Sequence, residues 1–450
     1  MKATSASTPP GAFTRRSFLK TSATAAPLVV LAGLDVSRFA HAAGSDILRV
    51  GMIGAGGRNT GAGAQALKAD KGARLVAICD IFLDRVHNAR EAIKTELARE
   101  NRADAVQVPE ANCLTGFDSF KRVIELSDVV CIANAAKFHP LHALTALEAG
   151  RHVFVEKPHG IDPYTVKMMR RACELARQKR LSIASGLHSR HDPGYIETVR
   201  RIHDGAIGDI VSIEENFLRA PYGVTDRRPG LTELQWQCST QYHFTWLSGD
   251  DVPQSLVHNM DRARWALKEA LPVRCHGLGG RSTMTEPVYG NVFDHHSVVY
   301  EFPNSVRVYA FCRTTTGCYD DSSSQVFGTK GRASVTAARV WGEKNWRWQA
   351  ASNDPHQVDP YQIEHDLLFA GIRAGNPVNN GDYMVDSTMT TVMGQLSCYT
   401  GKEVAWDQVN ASDFSYLLKP EDCHDGMEPP AKPGPDGSYP VYVPGRTQLL

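Results

Sequence analysis

The sequence predicts an α/β chain, with a parallel-sheet domain first and an α+β part on a largely antiparallel sheet after it. Three observations carry this. An apolar run, Leu48–Ile53, ends in Gly54-Ala55-Gly56 and leads into a helix-compatible stretch. From Ile47 to about Gly186, continuous apolar runs alternate with helical patterns, which implies a parallel sheet covered on both faces. After Gly186 the pattern changes, and from Val273 to Phe327 strand-like runs follow one another with Gly and Asn punctuation and no helices between them, which implies antiparallel pairing.

The front of the chain is set aside first. Thr14-Arg15-Arg16-Ser17-Phe18-Leu19-Lys20 is a twin-arginine pattern, Ala23 to Leu34 is modestly apolar, and Ala40-His41-Ala42 is an A-x-A cleavage site. Residues 1–42 therefore read as a twin-arginine signal peptide. That route exports folded proteins, so the twin-arginine export machinery is an expected partner and the periplasm the expected location. A cofactor carried out by that route is expected to be held tightly. No run is long enough for a membrane span.

Composition fits an ordinary globular chain. Of 450 residues, 42% are hydrophobic and 22% charged, and the formal net charge is zero. This length permits two or three domains. The charge balance gives no pull toward nucleic acid or an anionic membrane. The ten cysteines contain no C-x-x-C pair, so neither a zinc ribbon nor a thioredoxin motif is indicated.

The stretch around Gly54 organises the first domain, residues 46–187. Gly54 permits the tight turn, and Gly56 lets the backbone approach a pyrophosphate. The helix that begins near Gly57, Arg58 and Asn59 offers free N–H groups and a partial positive charge. Asn59 stands where the third small residue of this fingerprint is usual. A second strand, residues 74–79, ends at Asp80. An acid there can bond both ribose hydroxyls and would repel a 2′-phosphate, so NAD is expected rather than NADP. Alternatively, Asp80 caps the next helix. Helical patterns follow at 82–100, 117–126, 140–149 and 164–177, with strands at 128–133, 152–156 and 181–185 between them.

Glu156-Lys157-Pro158 closes the fifth strand. Ligands of open parallel sheets bind at this end of the strands. There the Lys157 ammonium could hold a substrate hydroxyl, or it could sit on the surface before a turn. Residues 188–424 form the second part, with helices expected at 195–203, 253–267, 362–373 and 386–399. Its strands are expected at 210–218, 273–278, 294–302, 306–311 and 324–327. Residues 425–450, rich in Pro and Gly, read as an extended arm docked by Tyr439, Val441, Tyr442 and Val443.

Together these residues resemble the Gfo/Idh/MocA family. The resemblance rests on Gly54-Ala-Gly56-Gly-Arg58, Asp80, Ala149-Gly-Arg-His-Val-Phe-Val-Glu156-Lys157-Pro158, Val257 to Trp265 and Phe327-Gly-Thr-Lys-Gly331. Phe244 to Asp250, Glu364-His365 and Tyr399-Thr-Gly-Lys402 resemble its exported, twin-arginine branch. The resemblance implies a Rossmann domain followed by an α+β domain whose large open sheet carries a subunit interface, hence a homo-oligomer. It implies hydride transfer between NAD and a hydroxyl of a carbohydrate substrate. It also implies a pattern Asp-x-x-x-His, in which His258 matches the proton acceptor and Gln254 replaces the acid. Lys157 is therefore expected to share the proton-accepting role.

Other candidates are weaker. Asn134 lies where the family contacts the nicotinamide ribose, and His139 either touches cofactor or caps a helix. Glu156 and Lys157 complete the cofactor-side set. His188 and Arg190 could face the cleft. Tyr242, His243 and Trp246 form an aromatic cluster suited to a pyranose, or plain core. Asp294-His295-His296 has no third ligand at a metal spacing, and no metal is expected. Three functions stay open: a periplasmic sugar or glycoside oxidoreductase, a redox-neutral NAD-dependent glycosidase, and a non-catalytic carbohydrate-binding relative. Glu156-Lys157-Pro158 favours the first, because glycosidase relatives often carry Glu-Val-Pro.

Overall fold

The computed structural model describes residues 46–224 and 227–450. The twin-arginine pattern and the cleavage site lie outside the described residues. Residues 47–450 pack as one compact body.

The first sheet holds β1 Leu48–Ile53, β2 Ala73–Asp80, β3 Cys113–Thr115, β4 Val129–Ile132, β5 His152–Val155 and β6 Ile183–Ser185. All neighbours are parallel, in the order β3-β2-β1-β4-β5-β6. Apolar side chains dominate β4 and β5 because both faces are covered; from Val129 to Ile132 every residue is buried. The order reverses between β1 and β4, and that crevice is where a dinucleotide-binding sheet places its ligand. Helices α1 Gly57–Ala69, α2 Leu83–Ala98, α3 Ser119–Leu126, α4 His139–Glu148 and α5 Pro163–Lys179 flank the sheet. Helix α5 shows why the chain turns helical where it does. Asp162 and Thr165 form a capping box, Pro163 occupies the first turn, and Arg180 closes the helix in the left-handed region.

The second sheet has nine strands: β7 Ile210–Arg219, β8 Arg274–Gly280, β9 His295–Glu301, β10 Arg307–Thr314, β11 Asp321–Gly328, β12 Gly331–Ser334, β13 Arg339–Trp341, β14 Trp346–Arg347 and β15 Val404–Ala405. Only the β10–β7 pair is parallel. The other pairs are antiparallel. Alternation along the strands puts Cys275, Val298, Tyr300, Val308, Ala310 and Cys312 into the core. Two helices cover that face, Val257–Ala266 and Gly381–Thr400. The longer one packs closely at Gly394, where a Cβ would fall 2.0 Å from the Tyr300 hydroxyl. The opposite face is open, with Leu278 75% exposed.

The helix expected at 253–267 is not uniform. Val252–Leu256 is a π-turn, and the α-helix starts only at Val257. Such turns recur at functional sites. After Asp422 the chain carries no further helix or strand and runs as an arm. Tyr439 is buried, and Tyr442 stacks on Tyr399 at 4.3 Å.

Candidate active site

The glycine turn is built as its chemistry requires. Gly54 has φ +92°, and a Cβ there would lie 2.8 Å from the Asn134 nitrogen. At Gly56 and Gly57 an added Cβ would meet nothing within 4 Å. Space is therefore left where a pyrophosphate would lie against the start of α1. Asn59 does a different job from the one expected. It is fully buried, and its Nδ2 donates to the carbonyls of Ile53, Gly54 and Cys131 at 3.0, 2.7 and 3.2 Å. Its side-chain amide braces the turn against β1 and β4.

Asp80 ends β2. Its carboxylate accepts from the N–H of Ala55 at 2.8 Å and of Phe82 at 3.1 Å. It faces a cavity of ≈ 710 Å³, its open mouth included, with Gly54, Gly56, Phe82 and Asn134 also in the wall. These residues fit an adenine dinucleotide: an acid for the ribose, glycines beside open space, and an apolar wall for a base. Asn134 Oδ1 is buried without a protein partner. His139 sits between the carbonyls of Pro158 and Asn134, at 2.8 and 3.0 Å, and its single N–H can donate to one of them. It thus lies between two loops of the cleft.

Lys157 emerges half-buried at the end of β5. Its Nζ donates to the Gln254 main-chain oxygen at 3.0 Å, reaching the π-turn that precedes His258. Glu156 is buried and pairs with Arg58 Nε at 2.8 Å. Arg58 also donates to Gln65 at 2.7 Å, so its guanidinium is held beside the glycine turn. From there a stack crosses to the second half of the chain. Arg58 lies over Tyr361 at 4.7 Å, Tyr361 over His188 at 4.1 Å, and His188 over His258 at 4.9 Å.

Both histidines are held neutral. Burial, with Arg262 and Lys157 nearby, pushes His188 down to about 3. Burial first, and Lys157 and His188 next, push His258 well below its ordinary value. His258 Nδ1 is buried and unpartnered. A neutral imidazole can accept a proton, which an imidazolium cannot.

Tyr242 belongs to a second aromatic group. It stacks on Tyr222 at 3.9 Å, and Arg219 lies over Tyr222 at 3.9 Å. Arg219 is anchored by Asp251 at 2.7 Å and by Ser255, beside Gln254, at 3.0 Å. Trp246 and Arg190 are corrections. Trp246 is wholly buried and donates to Gln237 at 2.8 Å, so it is core and offers no face to a sugar. Arg190 is bidentate on Asp261 at 2.8 Å and lies over Trp265 and Tyr383. That is a structural ion pair. Asp294 accepts the N–H groups of Ser282, Thr283 and Met284 and so closes a turn.

Tyr361 and Tyr222 escape sequence reasoning. Tyr361 opens the helix Pro360–Arg373, two residues after the cap Asp359, a position that looks like an ordinary first turn. Tyr222 follows β7 in an irregular stretch.

A glycine turn over a parallel sheet, with an acid at the end of β2, defines a nucleotide-binding Rossmann domain. Residues 48–187 match the family model GFO_IDH_MocA, described as "Oxidoreductase family, NAD-binding Rossmann fold". Residues 48–187 are thus similar to the NAD-binding Rossmann domain of that oxidoreductase family. Among curated relatives, inositol 2-dehydrogenase 4 of Saccharopolyspora erythraea is 29% identical over 227 residues, 50% of this chain and 55% of that protein. A glycosyl hydrolase family 109 protein of the same organism is 28% identical over 219 residues, 44% of each. The chain spans about half the length of these curated relatives. The structure of scyllo-inositol dehydrogenase from Lactobacillus casei, with bound NAD(H) and scyllo-inositol, aligns with a TM-score of 0.58 at 17% identity. It covers 80% of this chain and 99% of that one, and shows a common fold.

Proposed function

We propose that this protein is an exported oxidoreductase that transfers hydride between a sugar or glycoside hydroxyl and a tightly held NAD(H). The carrying observation is the convergence of Lys157 from the Rossmann domain with His258 and His188 from the second half. A dinucleotide held by the Gly54 turn and Asp80 would supply the acceptor for the carbinol hydride. Lys157 holds the reacting hydroxyl and stabilises developing alkoxide charge. His258, neutral in its buried surroundings, takes the hydroxyl proton. Tyr242, backed by Tyr222 and Arg219, offers an aromatic face for the sugar.

The match to a family 109 glycosyl hydrolase supports a second reading, in which oxidation is transient and the aglycone is expelled before the hydride returns. Incubation of the purified protein with aryl glycosides and free sugars, without added NAD, separates the readings. Keto-sugar formed with an added electron acceptor supports net oxidation, and free aglycone supports the glycosidase. Neither product would leave a binding protein.

Export is proposed from residues 14–42. Among the described residues, no helix is long and apolar enough to cross a membrane. A homo-oligomer is proposed through the open face of the nine-stranded sheet. There Leu278 is exposed, and Val299, Tyr309 and Phe311 are only half-buried. Light scattering of the Leu278→Glu variant tests this, with a smaller particle expected.

A further inference from the structure

The adenosine end of the cavity is not made by the Rossmann domain alone. Cys238 and Gln241, from the second half of the chain, line the same space as Asp80 and Phe82. They belong to a segment that begins at the capped helix Glu233–Ser239 and crosses the mouth of the crevice. Two arginines fasten this segment to α2 and its approach. Arg85, at the start of α2, lies over the Phe82 ring at 4.7 Å and donates to the Ser239 carbonyl at 3.2 Å. Arg228, just before the segment's helix, lies over the same ring at 5.2 Å and pairs with Asp84 at 2.9 Å. The arm holds the segment from behind, where Gln237 donates to the Ala431 carbonyl at 2.6 Å. It also touches the opposite wall, where the Asp425 carboxylate accepts the Phe117 N–H at 3.1 Å.

We propose that Arg85 and Arg228 form a clasp over the adenosine end of the bound dinucleotide and set the rate at which it leaves. This rests on the NAD reading above. A base lodged under Cys238 and Gln241 cannot withdraw until the segment lifts. Lifting breaks the Arg228–Asp84 pair, the Arg85–Ser239 bond and the cation contacts to Phe82. The Arg228–Asp84 pair is about half exposed on both sides, at 51% and 55%. Its contribution is therefore modest and salt-sensitive. The Arg85 bond is more sheltered and should contribute more.

The test loads the full mature protein with NAD, removes free nucleotide by gel filtration, and follows the release of bound NAD on dilution. Arg228→Gln and Asp84→Asn should each speed release about three- to fivefold, and the double variant no more than either single. Arg85→Gln should speed it roughly tenfold. Raising salt from about 0.05 to 1 M should accelerate release from the native protein and change Arg228→Gln little. Native release rates in both Arg85→Gln and Arg228→Gln, with NAD confirmed as bound, would overturn the clasp while leaving the cofactor reading intact. A native protein that takes up no NAD in equilibrium dialysis would overturn the cofactor reading, and the clasp with it.

Discussion

Lys157 donates from Nζ to the Gln254 main-chain oxygen at 3.0 Å, and so ties the end of β5 to the π-turn ahead of His258. The contact spans 97 residues of sequence. It places a cation from the Rossmann domain against the element that leads into His258. The cation also helps to keep His258 neutral, after burial itself.

Lys157 and His258 should therefore act as a unit on one hydroxyl. Lys157→Met and His258→Ala should each lower kcat by about 10²- to 10⁴-fold. The double variant should be scarcely worse than the poorer single. NAD retention should hold in His258→Ala. Near-normal turnover of Lys157→Met, with NAD confirmed in the site, would dismiss the hydride-transfer mechanism.

Gln254 gives a pH test. Its side chain stands where the family pattern has an acid, and no carboxylate there raises the His258 basicity. The acid limb of kcat/KM should then fall well below the usual histidine range, because protonation removes the acceptor only at low pH. Gln254→Asp adds an opposite charge and should raise the His258 pKa, moving that limb to higher pH. An unshifted limb would show that His258 does not govern the profile.

Local signals made the first half of this architecture readable. Leu48–Ile53, Gly54 and Asp80 announce themselves through apolar continuity, a required positive φ and a strand-end acid. The place of Lys157 at the end of β5 was readable for the same reason. The π-turn and β12 to β15 were not, because short elements draw their stability from neighbours distant in sequence. Trp246 and Arg190 misled for one reason. Their residue types suit ligands, yet Gln237 and Asp261 already satisfy them, and those pairings exist only in the folded chain. Glu364 and His365 turn out to be buried, with His365 on Phe154 at 4.2 Å.

Buried neutral histidines should make the fold acid-labile. Burial pushes His142 and His159 down to about 3 and His139 to about 4. Below the unfolded value near 6.5, the unfolded chain binds protons that the native chain does not. Stability is therefore lost as pH falls from about 6.5 toward 4, by ~1.4 kcal/mol per pH unit for each such group. His142 stacks on Phe120 at 4.2 Å, and its Nδ1 has no partner. His142→Phe keeps the ring contact and should flatten the pH dependence of denaturant unfolding by about 1.4 kcal/mol per unit. Parallel pH profiles for the two proteins would refute this.

Asp80 should decide between the two nicotinamide dinucleotides. Its carboxylate already accepts two backbone N–H groups, which fixes it in the cavity wall with its charge turned toward the ribose site. A 2′-phosphate there would meet like charge in a sheltered space, whereas two hydroxyls would meet a ready acceptor. Native protein should bind NAD far better than NADP. Asp80→Ala should weaken NAD by roughly tenfold or more, because a bond to a charged acceptor is lost. It should also improve NADP, because the repulsion goes with it. Part of the NAD loss would come from the two released backbone N–H groups, and Asp80→Asn separates this. The amide keeps one acceptor, for the Ala55 N–H, and loses the acceptor for the Phe82 N–H along with the charge. It should recover much of the turn geometry while still narrowing the preference. Dissociation constants for both dinucleotides, measured on all three proteins, check the ordering. A native preference for NADP, or a ratio unchanged in both variants, would remove Asp80 from the selectivity and leave it as the acceptor that ties the Ala55 and Phe82 N–H groups together.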